Sequence, residues 1–318
     1  MSKYISLILK LIISAVLLYF AFCKIDLAGV ANRLIEADMR WLSAAFALLI
    51  VQLILSSYRW RMIAELCGIV VSISRVFRLI WIGAFFNQTL PSSVGGDAMR
   101  IWLLVRDGAS WPAATYSVLL DRIFGVFALA ILVAGTTHWA FSLIADPIAR
   151  TMLAAIGFTA IAAFIAFTLL RHAEHSLFMR WRFTRHFIQL SKLAGDTVLS
   201  PRSGPAALIL SLCIQFGVVL TLWCIGRAAH TPFDLLQALV IVPPVMLIST
   251  LPISIAGWGV RESALALAFS YAGLSQADGI FLSLLFGAAM LILGIVGGVI
   301  WLTTSHPTPV GAATSSAQ

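Results

Sequence analysis

The sequence predicts an all-α polytopic membrane protein, with about six full spans and two re-entrant broken helices that form an inverted repeat. Three observations carry this reading. The chain is 61% hydrophobic and only 11% charged. Its apolar stretches have the length of bilayer spans. Two of those stretches are interrupted by the same short motif. A soluble domain is typically about 45–50% apolar and about 25% charged, so a chain of 318 residues with mean hydropathy +1.00 lacks the charge for a water-facing surface.

A span needs about 20 apolar residues. Segments 5–23, 41–60, 151–170, 206–226 and 279–302 meet that requirement, and 112–141 holds a sixth span that carries Asp121 and Arg122. The first run lacks a small-residue cleavage site at its exit, which marks it as an uncleaved span. The expected organisation is a membrane domain over 1–302 and a short polar cytoplasmic tail over 303–318 without regular structure.

Two further apolar stretches, 76–105 and 235–272, are broken near their middles. Orientation follows from Lys and Arg in short loops. Lys3 precedes the first span and Lys10 lies near its start. Arg59, Arg61, Arg75 and Arg78 form a second basic segment, and Arg171, Arg180, Arg182, Arg185, Lys192 and Arg202 a third. All three groups fall in the cytoplasm only if 76–105 enters and leaves on the cytoplasmic side and 235–272 on the outer side. Both termini are then cytoplasmic. The net charge of +8 and pI of about 9.8 thus read as topology and anionic-lipid contact, not nucleic-acid binding.

The first interruption runs Thr89-Leu90-Pro91-Ser92-Ser93-Val94-Gly95-Gly96-Asp97-Ala98-Met99-Arg100. The second runs Thr250-Leu251-Pro252-Ile253-Ser254-Ile255-Ala256-Gly257-Trp258-Gly259-Val260-Arg261. Thr, Leu, Pro, Ser, Gly and Arg coincide without gaps. Proline removes an N–H and blocks the preceding helical turn, and the glycines permit non-helical backbone. The freed backbone groups must face protein or a wet cavity; Asn87, Gln88 and the motif serines are suited to satisfy some of them. Beyond Gly96 or Gly257 a new half-helix starts, and its N-terminus favours anions. Paired interrupted segments of this kind mark a transporter substrate site.

The candidate substrate-binding residues follow: Asn87, Pro91, Ser93, Gly96, Asp97 and Arg100 from the first motif, Asp121 and Arg122 from the span after it, and Pro252, Ser254, Gly257, Arg261 and Glu262 from the second. Ionisable groups at membrane depth are costly and pair or line a pathway. Arg100 and Arg261 are expected to meet an anionic headgroup, with Asp97, Asp121 and Glu262 as counter-charges; the bland alternative is snorkelling to the interface. Trp258 is a candidate gate or headgroup contact. Cys23, Cys67, Cys213 and Cys224 form no metal-binding spacing. The six scattered histidines read as interfacial residues. No catalytic residue, metal or cofactor is indicated, and no nucleotide-binding motif G-x-x-x-x-G-K-[ST] occurs.

The pattern F-F-N-x-x-L-P-S-x-x-G-G-D over 85–97 with Arg100, the pair Asp121–Arg122, and Leu251, Pro252, Ser254, Gly257, Gly259, Arg261 and Glu262 resemble the transmembrane region shared with lysylphosphatidylglycerol synthases, the flippase-like UPF0104 family. Ala256 and Trp258 stand where that family often has small residues. The resemblance implies lipid translocation in a bacterial inner membrane, with membrane lipids as partners and a lipid-biosynthesis enzyme or a second copy as further candidates. Multidomain relatives flip aminoacylated phosphatidylglycerol and carry a soluble aminoacyl-transfer domain, which has no counterpart in 303–318. Stand-alone relatives include ones linked to hopanoid biosynthesis, so the implied cargo is an aminoacyl phospholipid, a hopanoid or a glycolipid. Two rival readings are a membrane-embedded transferase on a lipid-linked substrate and a non-catalytic partner of a lipid-synthesis enzyme.

Overall fold

The computed structural model describes residues 33–90, 94–171, 182–250, 258–303 and 311–312. The expected span 5–23 lies outside them, as do Pro91, Ser93, Pro252, Ser254 and Gly257. Ten helices follow in order among the described elements: α1 (Met39–Leu66), α2 (Ile73–Thr89), α3 (Gly95–Arg106), α4 (Trp111–Leu143), α5 (Pro147–Leu169), α6 (Arg182–Leu199), α7 (Ser203–Ala228), α8 (Leu235–Ser249), α9 (Val260–Tyr271) and α10 (Gln276–Thr303). A two-residue strand β1 (Ile69–Val70) pairs antiparallel with β2 (Gly311–Ala312). The tail, expected to lack regular structure, therefore returns to the segment that follows α1.

Among the described residues, five helices are long and apolar enough to cross a membrane: α1, α4, α5, α7 and α10. They coincide with five of the six expected spans, and 112–141 is a single element. By contrast α2 and α8 have 17 and 15 residues. At 1.5 Å per residue these legs reach about 25 and about 22 Å, short of the roughly 30 Å hydrocarbon core. Each is followed by a 12-residue helix, α3 or α9. Helix α2 ends at Thr89 and α3 starts at Gly95, and α8 ends at Ser249 and α9 starts at Val260, so separate helices flank each motif, as its proline and glycines lead one to expect.

Local sequence explains the helix starts. Asp38 accepts from the Arg40 N–H before α1, Ser72 caps α2, Ser110 and Pro112 open α4, and Asp146 accepts from two N–H groups of α5. Asp234 and Gln237 form a reciprocal capping box at α8. Gly259 opens α9 at φ +84°, a backbone conformation that a side chain would strain.

The displacement that places Thr89 on Thr250, 161 residues, also carries α1, α2, α3 and α4 onto α7, α8, α9 and α10. The packing obeys the same exchange. Helix α2 lies against α10, and α8 against α4; α1 packs on α2 as α7 packs on α8. At the centre, α1 lies along its own counterpart α7. The Asp38 N–H donates to the Ala228 carbonyl (3.0 Å), the Gln52 amide to Thr221 Oγ1 (3.0 Å), and Arg59 Nη1 to Ser211 Oγ (3.0 Å). Residue numbers rise on α1 as they fall on α7, so repeat-related helices run antiparallel and the repeat is inverted. Helices α5 and α6 lie between the halves.

Each half centres on its own apolar core. Trp60, Leu79, Leu104 and Val118 anchor the first; Leu222, Ile241, Phe269 and Phe281 anchor the second. Burying a side chain of this size is worth about 1.5–3 kcal/mol against water. In lipid the close fit of small residues takes over that role.

Candidate functional site

The first hairpin closes on itself through glycine. A Cβ on Gly96 would collide with the Gly83 carbonyl and lie 2.7 Å from the Asn87 side chain. The Gly96 N–H instead donates to Asn87 Oδ1 at 2.9 Å. Asn87 therefore satisfies a free N–H at the start of α3, where no side chain caps the helix from the N-cap position. At the hairpin base, Arg75 at the start of α2 binds Asp107 at the end of α3 with two hydrogen bonds, 2.7 and 2.9 Å, both groups buried.

Deeper in, five charged side chains form a chain of ion pairs. Arg59 Nε meets Asp121 Oδ1 at 2.8 Å, and Arg100 Nη2 meets Asp121 Oδ2 at 3.1 Å. Arg100 Nη1 reaches Asp97 Oδ1 at 3.3 Å, and Arg122 Nε reaches Asp97 Oδ2 at 2.6 Å. Arg59, Asp97, Arg100 and Asp121 are all buried, and Arg122 is exposed. Among the described residues this cluster brings three guanidinium groups and two carboxylates together. Arg100 also sits over the Trp60 ring at 3.8 Å. Two donors of this cluster, Arg100 Nε and Trp60 Nε1, are buried without a hydrogen-bond partner, which is rare and costs about 1–3 kcal/mol each.

The second hairpin makes a smaller, neutral cluster. Arg261 Nη2 pairs with Glu262 Oε1 at 2.9 Å, and Arg261 Nε donates to Ser283 Oγ at 2.8 Å. The Ser283 hydroxyl donates to Glu262 Oε1 at 2.8 Å, and Glu262 Oε2 accepts the Gly259 N–H at 2.6 Å. Trp258 and Phe286 flank the guanidinium at 5.3 and 5.1 Å.

Both motif regions touch α10. A Cβ on Gly287 would lie 2.6 Å from Arg261 and from Trp258, and one on Gly294 would lie 3.5 Å from Gln88. Those two glycines are seven residues apart, about 10 Å along the helix. Gln88, beside the first motif, and Trp258 and Arg261, in the second, thus lie against one stretch of α10.

Of the candidate residues, Asp97, Arg100, Asp121 and Arg122 come together in one network that α3 and α4 position, with Asn87 and Gly96 at its hairpin. Arg261 and Glu262 pair separately on α9. Pro91, Ser93, Pro252, Ser254 and Gly257 lie outside the described residues. Arg100 and Arg261 are both buried, so neither reaches an interface by snorkelling. Arg106 is exposed.

The sequence reading placed Arg59 and Arg75 among loop charges that set topology, and this is corrected. Arg59 is buried inside α1 and Arg75 is buried at the hairpin base, because each finds a carboxylate on another helix. Arg59, Trp60, Asp107 and Ser283 were not candidates. A hint existed for Arg59: it lies inside the span-length run 41–60 itself.

The comparisons with known proteins fit this architecture. A UPF0104 membrane protein of Methanocaldococcus jannaschii is 28% identical over 129 residues, 38% of this chain and 38% of that protein's length. No solved structure matches the chain. The family model described as the lysylphosphatidylglycerol synthase TM region matches residues 7–298. The chain, a multi-pass membrane protein, belongs to the family of the lysylphosphatidylglycerol synthase TM region.

Proposed function

We propose that this protein translocates a polar-headgroup lipid between leaflets of a bacterial inner membrane, with both termini cytoplasmic. The observation that carries the reading is the convergence of two broken-helix hairpins on α10, each presenting a buried arginine. A lipid headgroup crossing the hydrocarbon region needs polar partners at mid-depth. Inverted repeats with discontinuous helices supply them. The buried Arg100 guanidinium and the two unpartnered donors of the first cluster favour a phosphate-bearing headgroup. Arginine suits that group by its planar fork of donors. The acyl chains remain in lipid while the headgroup moves along the hairpin tips.

The buried carboxylates support transport over transfer chemistry. Asp97, Asp121 and Glu262 are each bound to guanidinium groups, so none stands ready as a general base. An aminoacyl phospholipid, a hopanoid or a glycolipid is the cargo class. Reconstitution into vesicles with fluorescent lipid in both leaflets, followed by chemical quenching of the outer one, tests the proposal. The intact protein raises the quenched fraction beyond one leaflet's share. Arg100→Ala and Arg261→Ala each abolish the gain; full activity in both variants removes the proposal.

A further inference from the structure

A second lipid site lies away from both ion clusters. A crevice of about 300 Å³ opens between α1 and α2 on the flank of the first hairpin. Ile54, Ile73 and Phe77 contribute apolar lining, and Ser57, Tyr58, Ser74 and Arg78 contribute polar groups. Ile54, Tyr58, Ser74 and Arg78 are exposed. The volume is at the small end for a ligand pocket. At about 27–30 Å³ per methylene, close to a water molecule's share of the liquid, it takes about half of one acyl chain.

The mouth sets the chemistry of the occupant. Arg78 forms no ion pair among the described residues, whereas Arg59, Arg75 and Arg100, on the same two helices or on α3, are all bound to carboxylates. Arg61 is also paired, with Glu65. Arg78 is therefore a cation with an open fork beside an apolar slot. The hydroxyls of Tyr58 and Ser74 lie in the same lining. An anionic phosphate with an attached acyl chain matches all of these features; a zwitterionic headgroup places an ammonium against Arg78 and matches less well.

We propose that the α1–α2 crevice holds one acyl chain of an anionic phospholipid, with its phosphate on Arg78. The site requires only that the protein be embedded in a bilayer, and it stands whether or not the hairpins translocate lipid. Its occupant wedges against the outer side of α2, the leg whose inner side carries Gly83 and Asn87.

The test uses the full chain in nanodiscs doped with phosphatidylglycerol bearing a diazirine in one acyl chain, with phosphatidylcholine carrying the same label as control. After irradiation, labelled peptides are mapped by mass spectrometry. Phosphatidylglycerol is expected to label 54–58 and 73–78 at least about fivefold more than phosphatidylcholine, a preference of about 1 kcal/mol. Arg78→Glu removes the preference and Arg78→Lys retains most of it. Ile54→Trp, which fills the slot, lowers labelling by both lipids there. Equal labelling by both lipids, or a preference that survives Arg78→Glu, overturns the proposal. So does absence of lipid label together with a crosslink from a photoreactive residue at 54 to the apolar run 5–23 of the same chain.

Discussion

Arg59 donates to Asp121 at 2.8 Å across 62 residues of chain, joining α1 to α4 inside the membrane domain. The same guanidinium reaches Ser211 on α7, so one side chain ties the first half of the repeat to the second. The repeat offset places Leu220 and Leu282 where the first half has Arg59 and Asp121, and Ser283 where it has Arg122. The two halves share a backbone plan and one arginine, Arg100 or Arg261. The Arg59–Asp121 pair belongs to the first half alone.

That divergence defines a test of the pair. Asp121→Leu leaves two buried guanidinium groups short of a carboxylate. It is expected to destabilise the protein by about 3–5 kcal/mol, the usual effect of breaking a buried pair from one side. Arg59→Leu with Asp121→Leu copies the second half and is expected to recover more than half of that loss, with Arg100 still held by Asp97. Thermal melts of the two single variants and the double variant in one detergent give the coupling. Additive losses would show that the pair does not act as a unit.

The closure of the first hairpin gives a second expectation. Gly96→Ala drives a methyl group into the backbone of α2, which has no rotamer through which to yield. A cost of about 1–3 kcal/mol is expected. At Gly83 the added Cβ meets the flexible Arg100 stem at 3.1 Å instead, so Gly83→Ala is expected to cost clearly less. Melting curves for the two variants should rank in that order; the reverse ranking contradicts the backbone contact.

The sequence made the fold legible because bilayer physics leaves few choices. Apolar runs of the right length gave 41–60, 112–141, 151–170, 206–226 and 279–302, and each has its helix. The motif prolines and glycines announced both breaks, and the repeated Arg announced two pole-like clusters. Pairing was less visible. Arg59 and Arg75 read as topology signals because charge counting cannot see that Asp121 and Asp107 lie across from them. Burial depends on which helices meet, and that follows from side-chain fit over the whole repeat. Ser283 was unreadable for the same reason: a single serine in an apolar span is common, and only the packing of α9 on α10 brings it to Arg261.

The base of the first hairpin supplies a third expectation. Asp107 accepts two hydrogen bonds from Arg75, and both side chains are buried. Asp107→Ala is expected to cost about 3–5 kcal/mol by stranding the arginine. Asp107→Glu, which preserves the charge with a shifted carboxylate, should fall between the wild type and Asp107→Ala. The second hairpin lacks such an ion pair among the described residues; Phe233 and Phe269 meet there at 4.9 Å instead. Removing that contact with Phe269→Leu, a partial truncation of a buried ring, is expected to cost about 1–2 kcal/mol. Equilibrium unfolding of the three variants decides whether the two hairpins are held at their bases by forces of such different size.

The neutral cluster around Arg261 leads to the most discriminating expectation. Glu262 cancels the charge of Arg261 while its other oxygen accepts the Gly259 N–H. Glu262→Gln keeps an acceptor for that N–H but removes the carboxylate paired with Arg261, so the second hairpin gains one positive charge. If the hairpins exchange an anionic headgroup, the variant should bind anionic lipid about tenfold more tightly, about 1.4 kcal/mol, and release it more slowly. Translocation then falls although binding rises, because an interaction that stabilises the bound state alone deepens a trap. A merely structural carboxylate predicts otherwise: stability, binding and translocation decline together. Lipid affinity by native mass spectrometry and translocation in vesicles, measured on the same preparation, separate the two outcomes. Ser283→Ala is the companion variant. It removes the hydroxyl between Arg261 and Glu262 without changing charge, so it should weaken the fold by about 1–3 kcal/mol and leave the preference for anionic lipid where it was.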